Sequence, residues 1–569
     1  MKNIDTVTLD IVQDSLLAIG DEVFYAFAQT SMSPIIYETL DYACGIANAD
    51  GDLLTQGNGA CGFIGMIAPM IGEIINKFGK DSMKPGDVYL INDPYMGGGT
   101  HLSDIGMVMP VFFSGEIIAF VGNKAHWGDV GGMAAGSFTT DSSEVFQEGL
   151  RFSGVKLIDA GELNTAVADI ITANVRFPAA ATGDMWGQIA SLRTGFRRLG
   201  ELCGKYGKDT LLAASRRLMD QGEMAARTRL AQMPKGVFEA EQFMDDDGRG
   251  NLVNIKVKIT IDDGGFTADF SGSSPQVASP INTGYSSLCA GVKIAFMSII
   301  GPSLAVNDGI FRIMKVVADD HSVLKCDAPA PTSCYFESML YALDTVWKAL
   351  APVFPEHLGA GHMLSVCAVI LAGTHHKTGQ PFLIVEPTGG GWGACRGKDG
   401  EVGQFCVGDG ETYNVPVEMA ESRYGIRVEE YSLHTDGAGA GEYRGGSGAV
   451  RSYRALTDGQ LFSASFGRNK FPAWGAGGGA DGSYNYFEFR RADGKHEGPV
   501  GIAARTVLNK GDLARMVTCS GGGYGDPRKR TPESVANDVR NGYITAAQAE
   551  ADYGVAVDAA TFAVTRVMR

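Results

Sequence analysis

Paired cysteines, an excess of basic residues, phosphate loops and long apolar runs are all missing from this chain of 569 residues. Its ten cysteines are scattered and form no CxxC pair, which excludes a disulfide framework or zinc ribbon and leaves reduced, mostly buried thiols. Lys and Arg total 48 against 65 Asp and Glu, a net charge of -17. With no basic stripe, nucleic acid and anionic membranes are excluded as partners. The N-terminal MKNIDTVTLDIVQDSLL has acids where a signal peptide needs an apolar core. No apolar run approaches the roughly 20 residues of a spanning helix. The expectation is a cytoplasmic, multidomain protein. Neither GxxxxGK[ST] nor a strand-linked GxGxxG occurs, so no complete nucleotide site is visible.

What is present in quantity is glycine, 77 residues without a collagen-like period. Such a content implies tight turns and close backbone approaches in a β-rich fold. Residues 7–30 have the apolar spacing of an amphipathic helix, and residues 60–80 also read as helical. YETLDYACGIANADGDLLTQGN reads as strand, turn at 48–52, and return strand. From 160 to 232 the chain is helical, and its longest helical tract begins at GDMWGQIAS. NLVNIKVKITIDDGGFTADF alternates as a β-meander, while 283–300 and 335–352 suit helices. TGGGWGA, DGAGAGEYRGGSG, GAGGGADGS and SGGGYGDP read as loops of one folded unit. A tail from Thr531 carries two short helices.

The fold class expected is α+β and multidomain. It has an N-terminal region with a β-hairpin, a central helical tract, and a C-terminal half rich in glycine and strands. The regions are 1–158, an α+β region; 159–234, helical; 235–380, mixed; 381–527, β-rich with glycine loops; and 528–569, a helical tail.

Chemistry concentrates in INDPYMGGGTHLSDIGMVMPVFFSGEIIAFVGNKAHWGDVGG, residues 91–132, which hold two of the nine histidines. DIGMVMPVFF and EIIAFVGNKAHW form two strands joined at Ser114-Gly115. Counting outward from that turn sets Asp104 opposite Ala125 or His126, with His101 one short turn away. Asp93 and Asp129 lie at the outer ends, and Gly97, Gly98 and Gly99 let the backbone fold tightly between them. Two imidazoles with one or two carboxylates suit Zn²⁺, Mn²⁺ or Fe²⁺. Core histidines bonded to carboxylates at strand ends explain the same spacing.

Other motifs carry less. TGGGWGA and SGGGYGDP could cradle an anion, but structural turns are the commoner use of such sequences. Glu418 and Glu421 in NVPVEMAESRYG, with Asp436 beyond, fit a solvated helix face or salt bridges with Arg423 and Arg444 better than acid–base work. His375 and His376 fall in a polar turn and read as surface residues. No histidine lies close enough in sequence to Cys61 or Cys395 to argue for a nucleophile.

Taken together, NDPYMGGGTHLSDI, HWGDVGG, FQEGLRFSGVKL, NVRFP, GDMWGQIAS, INTGYSSL, NVPVEMAE, DGAGAGEYRGGSG and GGGYGDP resemble, in order, the hydantoinase B/oxoprolinase family. The resemblance covers nearly the whole chain. It implies a metal-dependent subunit of an ATP-dependent hydrolase of cyclic amides such as hydantoins, oxoproline or lactams. Acetone- and acetophenone-type carboxylase chains fall in the same group, and a scaffold with a structural metal is a further alternative. By resemblance, the ligands of a divalent ion are Asp41, His101, Asp104 and His126. Glu38, Asp93 and Asp129 are candidates for orienting the imidazoles or a catalytic water, and Asn92, Tyr95, Gly98 and Gly99 for holding substrate or phosphate. The implied partner is a hydantoinase A-type subunit that binds ATP, in an α2β2-type hetero-oligomer.

Overall fold

A computed structural model describes residues 4–301 and 304–568. The first helix, α1 (Thr6–Thr30), starts where the Asp5 side chain accepts from Thr8 N–H at 2.9 Å, and it is followed by a single turn, α2 (Pro34–Tyr37). Next come β1 (Tyr42–Asn48) and β2 (Leu53–Gly59), joined by an Asn48–Asp52 turn, then α3 (Cys61–Phe78) and β3 (Val88–Ile91). A long hairpin follows, β4 (Asp104–Phe113) with β5 (Glu116–His126), its turn at Ser114-Gly115 with both residues at positive φ. β6 (Val155–Asp159) and β7 (Glu162–Leu163) complete a seven-stranded sheet of order β2-β1-β5-β4-β3-β6-β7, antiparallel throughout.

Helices cover both faces of that sheet, which is why β4 and β5 are almost continuously apolar instead of alternating. A Cβ on Gly195 of α5 (Pro178–Tyr206) would meet Val121 of β5 and Val23 of α1. A Cβ on the next strand residue, Gly122, would meet Met70 and Ile67 of α3. Successive residues of a strand point to opposite faces, so α1 and α5 cover one face and α3 the other. At 18 residues and a mean hydropathy of 1.2, α3 is the one described helix long and apolar enough to cross a membrane. It comes nearer to spanning length than the sequence reading allowed, yet its apolar side chains lie against Gly45, Gly106 and Gly122 of the sheet.

Between β7 and α5 lies α4 (Thr165–Asn174), and the long helical tract splits into α5 and α6 (Lys208–Ala231) at Gly207, whose φ is +86°. Beyond it run β8 (Gly236–Asp246), β9 (Leu252–Ile261), β10 (Phe266–Asp269), α7 (Tyr285–Ile300), β11 (Met314–Val317) and α8 (Tyr335–Leu350). Contacts group the chain into two units, each built from separated stretches. One holds Met1–Val237, Lys258–Met339 and Gly408–Tyr413; the other holds Phe238–Val257, Leu340–Val407 and Asn414–Arg569.

The second unit contains a four-stranded sheet (order Pro381–Glu386, Ala368–Thr374, Gln460–Ser465, Ile502–Leu508) and a five-stranded one beginning Ile426–His434, Gly448–Ala455. Although Gly477 and Gly478 of GAGGGADGS are exposed, the unit's glycine clusters are largely packed. They run as segments without helix or ladder, bonded backbone to backbone: Gly391 N–H to Cys519 O, Gly522 N–H to Gly361 O, Ala394 N–H to Gly522 O and Gly521 N–H to Gly446 O, all at 2.9 Å. The spacing explains the composition. A Cβ at Gly446 would sit 1.7 Å from Glu401 O, and one at Gly393 1.9 Å from Ala360 O. These N–H groups already meet carbonyls, so TGGGWGA and SGGGYGDP form a packed array and not an anion cradle. The Thr531-capped helix Pro532–Arg540 and the helix Ala546–Tyr553 pack a small apolar cluster against Ala440, which lies within DGAGAGEYRGGSG. His375 is also buried, its Nδ1 accepting from Lys377 and Thr378 N–H, contrary to the surface position expected.

Gly446→Ala should therefore lower the thermal midpoint strongly, at a cost of about 3 kcal/mol or more from forced overlap. Gly204→Ala, on α5 with open space around it, should be neutral or stabilising by up to about 1 kcal/mol. Equal effects in calorimetry would refute the packed array.

Candidate metal centre

The hairpin register fixes the site. Asp104, first residue of β4, pairs with His126, last residue of β5. β1 lies on the other side of β5, with Tyr42 opposite Ala125, and His126 N–H donates to Asp41 O at 3.1 Å. His101 sits in the turn leading into β4, where Asp104 N–H donates back to His101 O at 3.2 Å. Three segments of the sheet thus deliver Asp41, His101, Asp104 and His126 to one place.

There the atoms crowd. His101 Nε2 lies 2.7 Å from Asp104 Oδ1 and 3.1 Å from His126 Nδ1, and His126 Nδ1 is 3.2 Å from Asp104 Oδ1. Asp41 Oδ2 is 3.8 Å from His126 Nδ1. Among the described residues, His101, Asp104 and His126 form the only grouping of this kind, and all three are buried. His101 Nδ1 faces the carbonyl of Ser333 at 2.8 Å. A carbonyl only accepts, so Nδ1 carries a proton, and in the neutral ring Nε2 presents a lone pair to the cluster. That lone pair, a carboxylate oxygen and a second imidazole nitrogen converge within 3.2 Å. Asp104 Oδ2 and His126 Nε2 have no hydrogen-bond partner. Protons cannot satisfy all these acceptors together, whereas a divalent cation can. Ligands about 2.0–2.2 Å from a tetrahedral ion lie about 3.3–3.6 Å apart. The donor set, two imidazoles and one or two carboxylates, therefore fits Zn²⁺, Mn²⁺ or Fe²⁺.

Without a cation, burial pushes Asp104 upward, but a protonated His101 opposes it through its charge, with hydrogen bonds from His101 and His126, and holds the carboxyl well below its usual range. Asp41 goes the other way. Burial raises it to about 7, with Asp104 and Asp409 adding to the rise and His126 opposing it. Lys124, buried on β5, donates to Asp104 O at 2.8 Å, and burial lowers its ammonium to about 8 against the pull of Asp104. The buried Tyr335 ring meets His101 edge-on at 5.2 Å, and its hydroxyl is raised well above the usual value by burial and by Asp104, Asp41 and Asp409.

The other residues singled out from the sequence have their contacts elsewhere. Asp93 accepts from Tyr95 N–H and from the Ser153 hydroxyl. Asp129 accepts from Gly131, Gly136 and Arg176 N–H and pairs with the Arg176 guanidinium at 3.0 Å. Glu38 ends α2, its N–H donating to Pro34 O. Asn92 donates to Leu102 O and Leu150 O and accepts from Phe152 N–H, clamping three segments. Tyr95 donates to Ala330 O. Gly98, at φ +79°, and Gly99 are packing positions: a Cβ would lie 2.5 Å from Met70 Cβ and 2.4 Å from Asp93 O, respectively. Sequence reasoning missed Lys124, Ser333, Tyr335 and Asp409. Only Lys124 left a local signal, a lysine inside a strand otherwise buried from Ile118 onward.

The hydantoinase B/oxoprolinase family profile matches residues 5–527. A Pseudomonas sp. (strain NS671) protein named as the B-type chain of a D-/L-hydantoinase is 32% identical, covering 98% of this chain and 96% of its own. The caprolactamase beta chain of Pseudomonas jessenii is 29% identical, over 98% and 97%. A crystal structure of the ATP-dependent caprolactamase from Pseudomonas jessenii superposes with a TM-score of 0.92 at 27% identity, covering 98% of this chain and 97% of that one.

Asp41 titrates above its unfolded value, so the metal-free fold is stabilised while Asp41 is neutral. That contribution is complete below about pH 4 and disappears as pH rises through about 7. Thermal melts of metal-free protein between about pH 4 and 8 should show the loss, and Asp41→Asn should flatten it. An unchanged slope in the variant would assign the titration to other groups.

Proposed function

Because the chain belongs to the hydantoinase B/oxoprolinase family, we propose that it is the metal-dependent subunit of an ATP-dependent cyclic-amide hydrolase. The observation that carries this reading is the convergence of three buried ligand-type atoms, on His101, Asp104 and His126, within 3.2 Å of one another. Asp41, His101, Asp104 and His126 would hold the ion. When bound, such an ion lowers the pKa of water and polarises an acyl or phosphoryl oxygen.

The division of labour follows from amide chemistry. An unstrained ring amide is a poor electrophile, and a partner of the hydantoinase A type would correct this by transferring a phosphoryl group from ATP to the amide oxygen. Water adds to the ring carbon, the C–N bond breaks with the nitrogen taking a proton and leaving as an amine, and a second water hydrolyses the remaining acyl phosphate to carboxylate and phosphate. In this chain the Ser333 carbonyl holds the His101 proton on Nδ1. Lys124 clamps the backbone of Asp104, and Trp127, with its indole N–H on Gln188 at 2.7 Å, closes the strand end behind His126. Relatives named as one subunit of a larger enzyme support assembly with a second chain.

Purified protein should contain about one divalent ion per chain by elemental analysis, and His101→Ala and His126→Ala should lose it. With the ATP-binding partner present, ATP-dependent opening of hydantoin, oxoproline or caprolactam should stop in both variants while the complex still assembles. Variants that keep the metal, or lose it and still turn over, would sink the reading.

A further inference from the structure

We propose that Glu148 is a positioning residue for the metal centre: through the Ser333 peptide it holds His101 with Nδ1 protonated and Nε2 turned toward the ion. This rests on the metal reading above. Glu148 lies 47 residues from His101 in sequence and is only 1% exposed. Its Oε1 accepts from the Ser142 hydroxyl at 2.7 Å and from the N–H groups of Thr332 and Ser333, both at 3.0 Å. Its Oε2 accepts from Thr332 N–H at 3.1 Å and more weakly from the Thr332 hydroxyl.

Two successive N–H groups on one carboxylate fix two peptide planes. The Ser333 side chain is held separately, its hydroxyl accepting from Thr139 N–H at 2.9 Å. With its N–H and its side chain both tied, Ser333 has little freedom to turn its carbonyl, and that carbonyl takes the His101 proton at 2.8 Å. The same strip leads directly into α8, where Tyr335 N–H donates to Thr332 O and the ring stands edge-on to His101.

Burying a carboxylate is costly, and burial pushes Glu148 up to about 7 despite its donors. What its position achieves is a carbonyl held in place behind one particular imidazole, the arrangement that fixes tautomer and ring orientation in metal-ligating histidines.

The test titrates full-length protein with Mn²⁺ for affinity and with Co²⁺ for its visible absorption bands. Glu148→Ala should weaken Mn²⁺ binding by about ten- to a hundredfold and shift the Co²⁺ bands. Glu148→Gln keeps a carbonyl oxygen for the Thr332 and Ser333 N–H groups and should restore most of the affinity. Asp184→Asn is the matched control: it alters another buried carboxylate, which accepts from Met32 and Ser33 N–H, and should leave affinity and spectrum unchanged. Wild-type affinity and bands in Glu148→Ala would overturn the proposal, as would an equal loss in Asp184→Asn. If Glu148→Ala does not fold, Glu148→Asp, one methylene short of the two N–H groups, takes its place with the same two outcomes. Wild-type protein that binds neither ion, or His101→Ala that binds as wild type does, would instead remove the metal centre itself.

Discussion

The crowding of buried imidazole and carboxylate atoms at one point is the constraint around which the first unit is organised. Asp104 Oδ1, His101 Nε2 and His126 Nδ1 stand within 3.2 Å of one another with almost no contact to solvent. The surrounding fold must supply the force that keeps them there. The β4–β5 ladder provides it, because a slip of one residue would turn His126 to the opposite face of the sheet. The helices on both faces make such a slip costlier still, since it would carry apolar residues of β5 away from α3 and α5.

The part of this arrangement encoded locally was legible. Ser114-Gly115 is a two-residue turn flanked by apolar runs, and counting out from it set Asp104 opposite Ala125 or His126, of which His126 is the observed partner. Asp41 was named by resemblance, and the β1–β5 register brings it beside His126. The α+β class, the long helices and the two N-terminal hairpins were also legible, because periodicity and turn residues act over short distances, whereas β6, β7 and β8 were not read.

Long-range placement left no comparable trace. Ser333 and Tyr335 reach His101 from 232 and 234 positions away, through a strip tied down by Glu148. Asp93 and Asp129 flank the cluster in sequence, yet their carboxylates organise neighbouring turns. Proximity along the chain was a poor guide there, because strand ends diverge where ladders stop. The glycine segments were read as close backbone approaches within one folded unit, but their partners were hidden. Their sequence looks like that of loops, and only the spacing of neighbouring carbonyls shows that side chains were excluded by packing.

The segment Gly408–Tyr413 belongs to the first unit although the chain on either side belongs to the second. It is tied by Gly62 N–H to Gly408 O and by Tyr413 N–H to Thr39 O, and it carries Asp409, whose charge bears on Asp41 and Tyr335. During synthesis, His126 leaves the ribosome long before this segment does. At about 5–20 residues per second the interval is on the order of tens of seconds. The growing chain therefore holds Asp41, His101, Asp104 and His126, without Asp409 beside them, while most of the protein has yet to be made.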